Sequence, residues 1–198
     1  MVHGFADTGS LFRRMSRRLE AEGHTCLAPT LHPRDARLGI PDLSGKLAAY
    51  VESNVRPGEP LAIVGFSMGS LVARHYLQEL GGGRLAKAFF SIAGPHAGTI
   101  AAYLYPGIGT REMRPGSPFL RLQDEGAGAL EGLSVHTYRT PLDFMVVPSA
   151  STRLGRAPEV TVWCPFHALM PGNLRVIGHI AGELAKLEPV ATRNRTAG

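Results

Sequence analysis

The stretch Leu61-Ala62-Ile63-Val64-Gly65-Phe66-Ser67-Met68-Gly69-Ser70 decides how the rest of the chain is read. Its first half is a short apolar run, the length of one buried strand. Beyond it, Leu71-Val72-Ala73-Arg74-His75-Tyr76-Leu77 has the spacing of an amphipathic helix. Strand, sharp turn and helix therefore meet at Ser67. A serine at the apex of a Gly-x-Ser-x-Gly turn is held in a strained backbone conformation, so the residues two before and two after it must be small. Gly65 and Gly69 meet that need. The helix that follows aims its N-terminal N–H groups at the serine, where negative charge develops during acyl transfer.

Working outward, apolar and punctuating segments alternate on both sides. Upstream, Met1-Val2 reads as the end of a strand that runs into His3-Gly4-Phe5. Asp7-Thr8-Gly9-Ser10 supplies turn and cap chemistry for a helix over residues 11–22. Residues 24–28 read as a strand ended by Pro29, and 42–55 as a helix broken by Pro57-Gly58. Downstream, Gly81-Gly82-Gly83 stops the helix after Ser67, and 85–93 is a strand running into Gly94-Pro95-His96-Ala97-Gly98-Thr99. Residues 100–131, rich in Gly and Pro, lack a clean period and are expected to form an irregular, lid-like excursion with short helical pieces near 100–105 and 119–123. Strands over 133–138 and 160–164 and a closing helix over 173–187 follow. This alternation predicts an α/β fold, a mostly parallel sheet with helices on both faces, as a single domain over 1–188 with a polar tail at 189–198.

The 198 residues suffice for one substantial core, and 44% apolar with 19% charged residues is ordinary for a globular chain. The net charge of +5 is concentrated in part at Arg13-Arg14 and Arg17-Arg18, which flank an apolar stripe at helical spacing. No basic–aromatic module accompanies them, so they read as a wet helix face rather than a nucleic-acid site. Cys26 and Cys164 lack metal or redox spacing and are expected as buried free thiols. No signal peptide or membrane span is read, which leaves the cytoplasm as the default compartment unless the chain starts further upstream.

In parallel sheets ligands bind beyond the carboxyl ends of the strands, and His3-Gly4-Phe5, Ser67, Pro95-His96, Asp143 and His167 all fall at such ends. A serine hydroxyl needs a base to take its proton, and the base needs a partner to fix its tautomer. His75, His136 and His179 lie inside elements. His167, in the loop between the last strand and the last helix, is the expected base, while His96 shapes a pocket wall. Asp143, in Thr140-Pro141-Leu142-Asp143-Phe144-Met145-Val146, is the expected acid, with Asp124 and Glu125 as alternatives. The backbone N–H groups of Met68 and Phe5 are the expected oxyanion donors, and His3 is a scaffold residue.

Val2-His3-Gly4-Phe5, Gly65-Phe66-Ser67-Met68-Gly69, Pro95-His96-Ala97-Gly98-Thr99, Met113-Arg114-Pro115-Gly116-Ser117, Leu142-Asp143 and Phe166-His167-Ala168 together resemble the α/β-hydrolase superfamily, in particular small bacterial lipases and esterases. The resemblance implies Ser67, Asp143 and His167 as catalytic triad, Phe5 and Met68 as oxyanion hole, and cleavage of an apolar acyl ester without metal or organic cofactor. Phe66, Tyr103, Met145 and His96 are expected to bind substrate. The partner is a small-molecule or lipid ester, with transient contact at a lipid interface left open and no nucleic acid. A thioesterase or acyltransferase uses the same triad, and a catalytically impaired binding module is the reading from another class. The chain departs from the family at the front. Only Met1 and Val2 stand before His3-Gly4, where the family has a full central strand. The expectation is a fold N-terminally truncated at the His-Gly strand, poorly folded without about five to eight further β-branched, apolar residues.

Overall fold

The computed structural model describes residues 1–187, so the expected tail at 189–198 lies outside the described residues. Its frame is a parallel sheet, β1 (Leu61–Phe66), β2 (Ala86–Ile92), β3 (Ser134–Arg139) and β4 (Glu159–Thr161), ordered β1-β2-β3-β4. Among the described residues six α-helices surround it: α1 (Arg13–Glu20), α2 (Ile40–Asn54), α3 (Met68–Glu79), α4 (Ile108–Glu112), α5 (Pro118–Glu125) and α6 (Leu174–Leu187). The α/β-hydrolase reading of the fold, a parallel sheet covered on both faces, is the observed one.

Alternation along the strands explains the two layers. Successive strand side chains point to opposite faces, so Ile63 and Phe89 join one apolar cluster while their neighbours Val64 and Phe90 join another. The first cluster takes Leu43, Leu47 and Val51 of α2 and Leu71, Val72 and Leu77 of α3. The second takes Met15 and Leu19 of α1 and Val176, Ile177 and Ile180 of α6. Both faces of β1 and β2 are thereby buried, as near-continuous apolar strands require. The four arginines of 13–18 face water, as the stripe predicted.

Three expectations need correction. Residues 24–28 form no strand. A strand needs a ladder of backbone partners, and this stretch instead bonds singly, the Leu27 carbonyl to the Met1 amine at 2.7 Å and His24 N–H to Leu19 O at 3.1 Å. Val2 itself turns to β1, with its N–H on Val64 O (2.8 Å) and its C=O on Phe66 N–H (3.0 Å). The last strand is shorter than 160–164, because after Val162 N–H bonds Arg139 O the chain leaves the sheet toward the loop that carries His167. Cys26, outside any strand, is half-buried; Cys164 is buried, and both are free.

The stretch 100–131 is more ordered than its composition suggested. A 3-10 turn at Ile100–Leu104 leads into α4 and α5, and another at Gly126–Leu130 closes it. Ser117 caps α5, its hydroxyl accepting from Leu120 N–H at 3.2 Å, and Met113, Phe119, Leu120 and Leu130 anchor the excursion in the α2–α3 cluster.

Candidate active site

The serine elbow is enforced by crowding. Ser67 has φ 52° and ψ −125°, a conformation that costs a non-glycine residue on the order of 1–3 kcal/mol and persists only where its surroundings over-determine it. A Cβ on Gly65 would lie 2.5 Å from Ser70 Cα, and one on Gly69 would lie 2.2 Å from Val2 O and 2.4 Å from His3 O. The glycines thus let α3 press against the elbow strand and the first residues of the chain. Ser67 N–H donates to Ile92 O at 2.8 Å, locking the turn to β2, and Ser70 N–H returns to Ser67 O at 2.9 Å. The Met68 amide opens α3 directly after Ser67.

On the other side, Asp143 and His167 form a pair. His167 Nδ1 and Asp143 Oδ2 are 2.7 Å apart, with 1% of the Asp143 side chain exposed. Asp143 Oδ1 accepts from the N–H groups of Met145 and Val146, both at 2.8 Å, so the carboxylate is fully used within its own turn and by the imidazole. Donation from Nδ1–H leaves Nε2 of a neutral His167 as the acceptor. The His167 ring packs on Phe66, the residue before Ser67, with centroids 4.8 Å apart. That contact brings His167 to the elbow, and its ring makes no hydrogen bond to Ser67 Oγ in this conformation.

Two threonines that sequence reading passed over hold these loops in place. Thr140 Oγ1 donates to Cys164 O (2.8 Å) and accepts from the N–H groups of Cys164 and Leu142 (both 3.3 Å), tying the loop before His167 to the turn that carries Asp143. Thr99 Oγ1 donates to Met145 O (2.7 Å) and accepts from Val147 N–H (3.0 Å). The Pro-His-Ala-Gly-Thr loop is therefore a brace for the turn that carries Asp143. Their only signal in the sequence was their position just past the ends of β2 and β3.

The remaining expected site residues divide. His3 is a scaffold, as anticipated: Nδ1 lies 2.8 Å from Gly4 O and Nε2 accepts from Leu31 N–H at 2.9 Å, while burial holds its pKa down. Gly4 brings the loop against Phe66, since a Cβ there would meet that ring at 3.2 Å. Phe5 lies beside Tyr105, with ring centroids 5.4 Å apart. Tyr103, Leu104, Tyr105, Phe144, Met145 and Phe166 are exposed around the same strand ends, and Trp163 is 70% exposed between β4 and His167. Phe66 is not a pocket wall. It is 1% exposed and serves as the seat of His167, because its strand position points it into the α1–α6 cluster. Met68 and Val146 are equally buried. His96 is also displaced from its expected place: it bonds Ser91 Oγ through Nε2 at 2.7 Å and lines a cavity that none of Ser67, Asp143 or His167 borders. Among the described residues no cluster of His, Cys, Asp or Glu is arranged to hold a metal ion.

With this geometry in hand, the chain is placed first by class: it has the α/β-hydrolase fold. A mature Bacillus licheniformis lipase superposes with a TM-score of 0.74 at 15% identity, covering 94% of this chain and 89% of that one. A pyrethroid hydrolase from Sphingobium faniae gives 0.60 at 16% identity, with 93% and 94% covered. Aspergillus fumigatus lipase B gives 0.75 at 14% identity, with 93% of this chain but 51% of the other. No protein-family model and no curated protein matches the chain.

Proposed function

We propose that the protein is a serine hydrolase that cleaves carboxylic esters with an apolar acyl group through an acyl-enzyme. The observation that carries this reading is the Asp143–His167 pair at 2.7 Å, seated through Phe66 on a serine held at φ 52°. His167 Nε2 takes the Ser67 proton as Oγ attacks the ester carbonyl, and Asp143 holds the imidazole and stabilises its cation. The tetrahedral oxyanion faces the Met68 and Phe5 N–H groups, each such donor contributing about 3 kcal/mol to the transition state. Collapse expels the alcohol, which takes the proton from His167. Water then attacks the acyl-serine with His167 again as base, releasing the acid and restoring Ser67. The exposed rim of Tyr103, Leu104, Tyr105, Phe144 and Phe166 supports an apolar acyl group and transient contact with a lipid interface.

The test is covalent. A fluorophosphonate probe should label the protein once, at Ser67, and Ser67→Ala should remove both labelling and hydrolysis of p-nitrophenyl acyl esters. Labelling of wild type at the level of Ser67→Ala would overturn the reading. Parallel turnover of matched esters and thioesters ranks the acyl acceptor.

A further inference from the structure

The cavity that His96 lines, of about 920 Å3, lies apart from Ser67, Asp143 and His167. Its walls come from α3, the loop after β2, the turn at Gly126–Leu130, the start of β3 and the segment before β4. The bed is apolar, with Leu130, Leu133, Val135 and Leu154 among its lining, and the volume falls within the range of small-molecule sites.

Three polar side chains in this lining are buried with unmet hydrogen-bonding capacity. Arg74 is 1% exposed, His96 2% and His136 9%. Arg74 spends Nη2 on Gln123 O (2.6 Å) and Asp124 Oδ1 (2.9 Å), yet its Nε and Nη1 have no partner. Nδ1 of His96 and Nδ1 of His136 have none either. A buried polar group without a partner costs on the order of 1–3 kcal/mol, and more when charged. Arginine only donates and stays protonated, so whatever satisfies it must supply acceptor oxygens. At the mouth, Arg156 is exposed and makes no ion pair among the described residues, while Arg153 meets Glu159 at 3.7 Å. Asp124 and Glu131 are the acids of the lining; Asp124 is engaged by Arg74. A buried arginine with unspent donors in the wall and an aliphatic bed point to a ligand with a negative oxygen-bearing head and an apolar body.

We propose that this cavity is a binding site for a small amphiphilic carboxylate, its head toward Arg74 and His96 and its tail on Leu130, Leu133, Val135 and Leu154. The site is separate from the catalytic one and does not depend on the esterase reading. It nevertheless touches the elements that hold the elbow. Arg74 lies on α3, which opens at Met68, and His96 bonds Ser91 on β2, whose Ile92 carbonyl holds the Ser67 N–H.

The experiment is calorimetric titration and thermal shift with octanoate, octanamide and inorganic phosphate on the 198-residue protein and its variants. Octanoate is expected to bind and raise the Tm, with octanamide and phosphate each at least about tenfold weaker. Arg74→Met should abolish octanoate binding, and Arg156→Ala should weaken it a few-fold and flatten its salt dependence. Ser67→Ala should leave it unchanged. Should Arg74→Met fail to fold, Ala157→Leu, which narrows the cavity from the half-buried loop before β4, must weaken octanoate binding at least about tenfold. Octanamide or phosphate binding as tightly as octanoate, octanoate binding lost in Ser67→Ala but kept in the cavity variants, or no thermal shift at ~10 mM octanoate would each overturn the assignment.

Discussion

Ser67 is held by backbone crowding, whereas Asp143 and His167 are held by side-chain hydrogen bonds from elsewhere in the chain. On the serine side, two glycines allow contacts that no Cβ could survive, and the strain at φ 52° is fixed by the Ile92 carbonyl. On the base side, the loops after β3 and β4 carry exposed rims and owe their positions to the hydroxyls of Thr99 and Thr140. The first arrangement is signalled by five consecutive residues, whose glycines and serine then meet Val2, His3 and Ile92. The second is assembled from segments 24 to 48 positions apart. One half of the site therefore tolerates almost no change of shape, and the other tolerates shape changes but not loss of hydrogen-bonding groups.

The sharpest way to test that division is Asp143→Asn. The substitution keeps size and the acceptor for Met145 and Val146, but presents an amide to His167 Nδ1 and favours the wrong tautomer. Ester turnover should fall by about 10⁴-fold, while thermal unfolding shifts little. A large loss of stability with modest loss of kcat would place Asp143 among the structural residues instead.

Gly69→Ala should show the opposite pattern. Its Cβ would meet the carbonyls of Val2 and His3, so folding itself should suffer, by about 4 kcal/mol or more, visible as a lost or strongly shifted denaturant midpoint. Thr140→Val comes next. It preserves volume and removes a hydroxyl with three partners, leaving Cys164 O without its donor, and about 1–3 kcal/mol should be lost. Thr140→Ser should recover most of that, whereas no Ser-like rescue exists for Gly69.

The smallest effect is a slope with pH. Burial lowers the pKa of His3, His75, His96 and His136 in the fold, His96 most clearly, where the Arg74 charge adds to it. Each folded value lies below the unfolded one near 6.5, so the unfolded chain takes up protons first as pH falls. Stability from these groups is fully present above that value and is lost as pH drops through it toward the folded values. The Tm should decline from pH 7 to pH 5, and His96→Gln should flatten the decline. An equal slope in that variant would remove His96 as a contributor.

The same division explains what could be read in the chain alone. The elbow and the alternation of strands and helices rest on local spacing, and both appear in the fold. Residues 24–28 have strand composition but form no strand, because a strand also needs a ladder of backbone partners and pairing is not a local property. Phe66 and His96 were read as pocket walls because both adjoin strand ends; the pleat turns Phe66 inward, and the Ser91 hydroxyl draws His96 away from the triad. Thr99 and Thr140 were invisible as braces for the same reason: their partners lie in other loops.

Trp163 gives the molecule a built-in optical reporter. It is the single tryptophan of the chain, 70% exposed, and it precedes Cys164, whose carbonyl and N–H both meet Thr140. Emission excited at the indole band therefore originates at one point on the loop that delivers His167, not from the core. Its colour and quenching report on that loop alone, so stopped-flow emission and far-ultraviolet dichroism recorded together can time the release of the His167 loop separately from the melting of α1–α6. Neither a dye nor a substitution is needed.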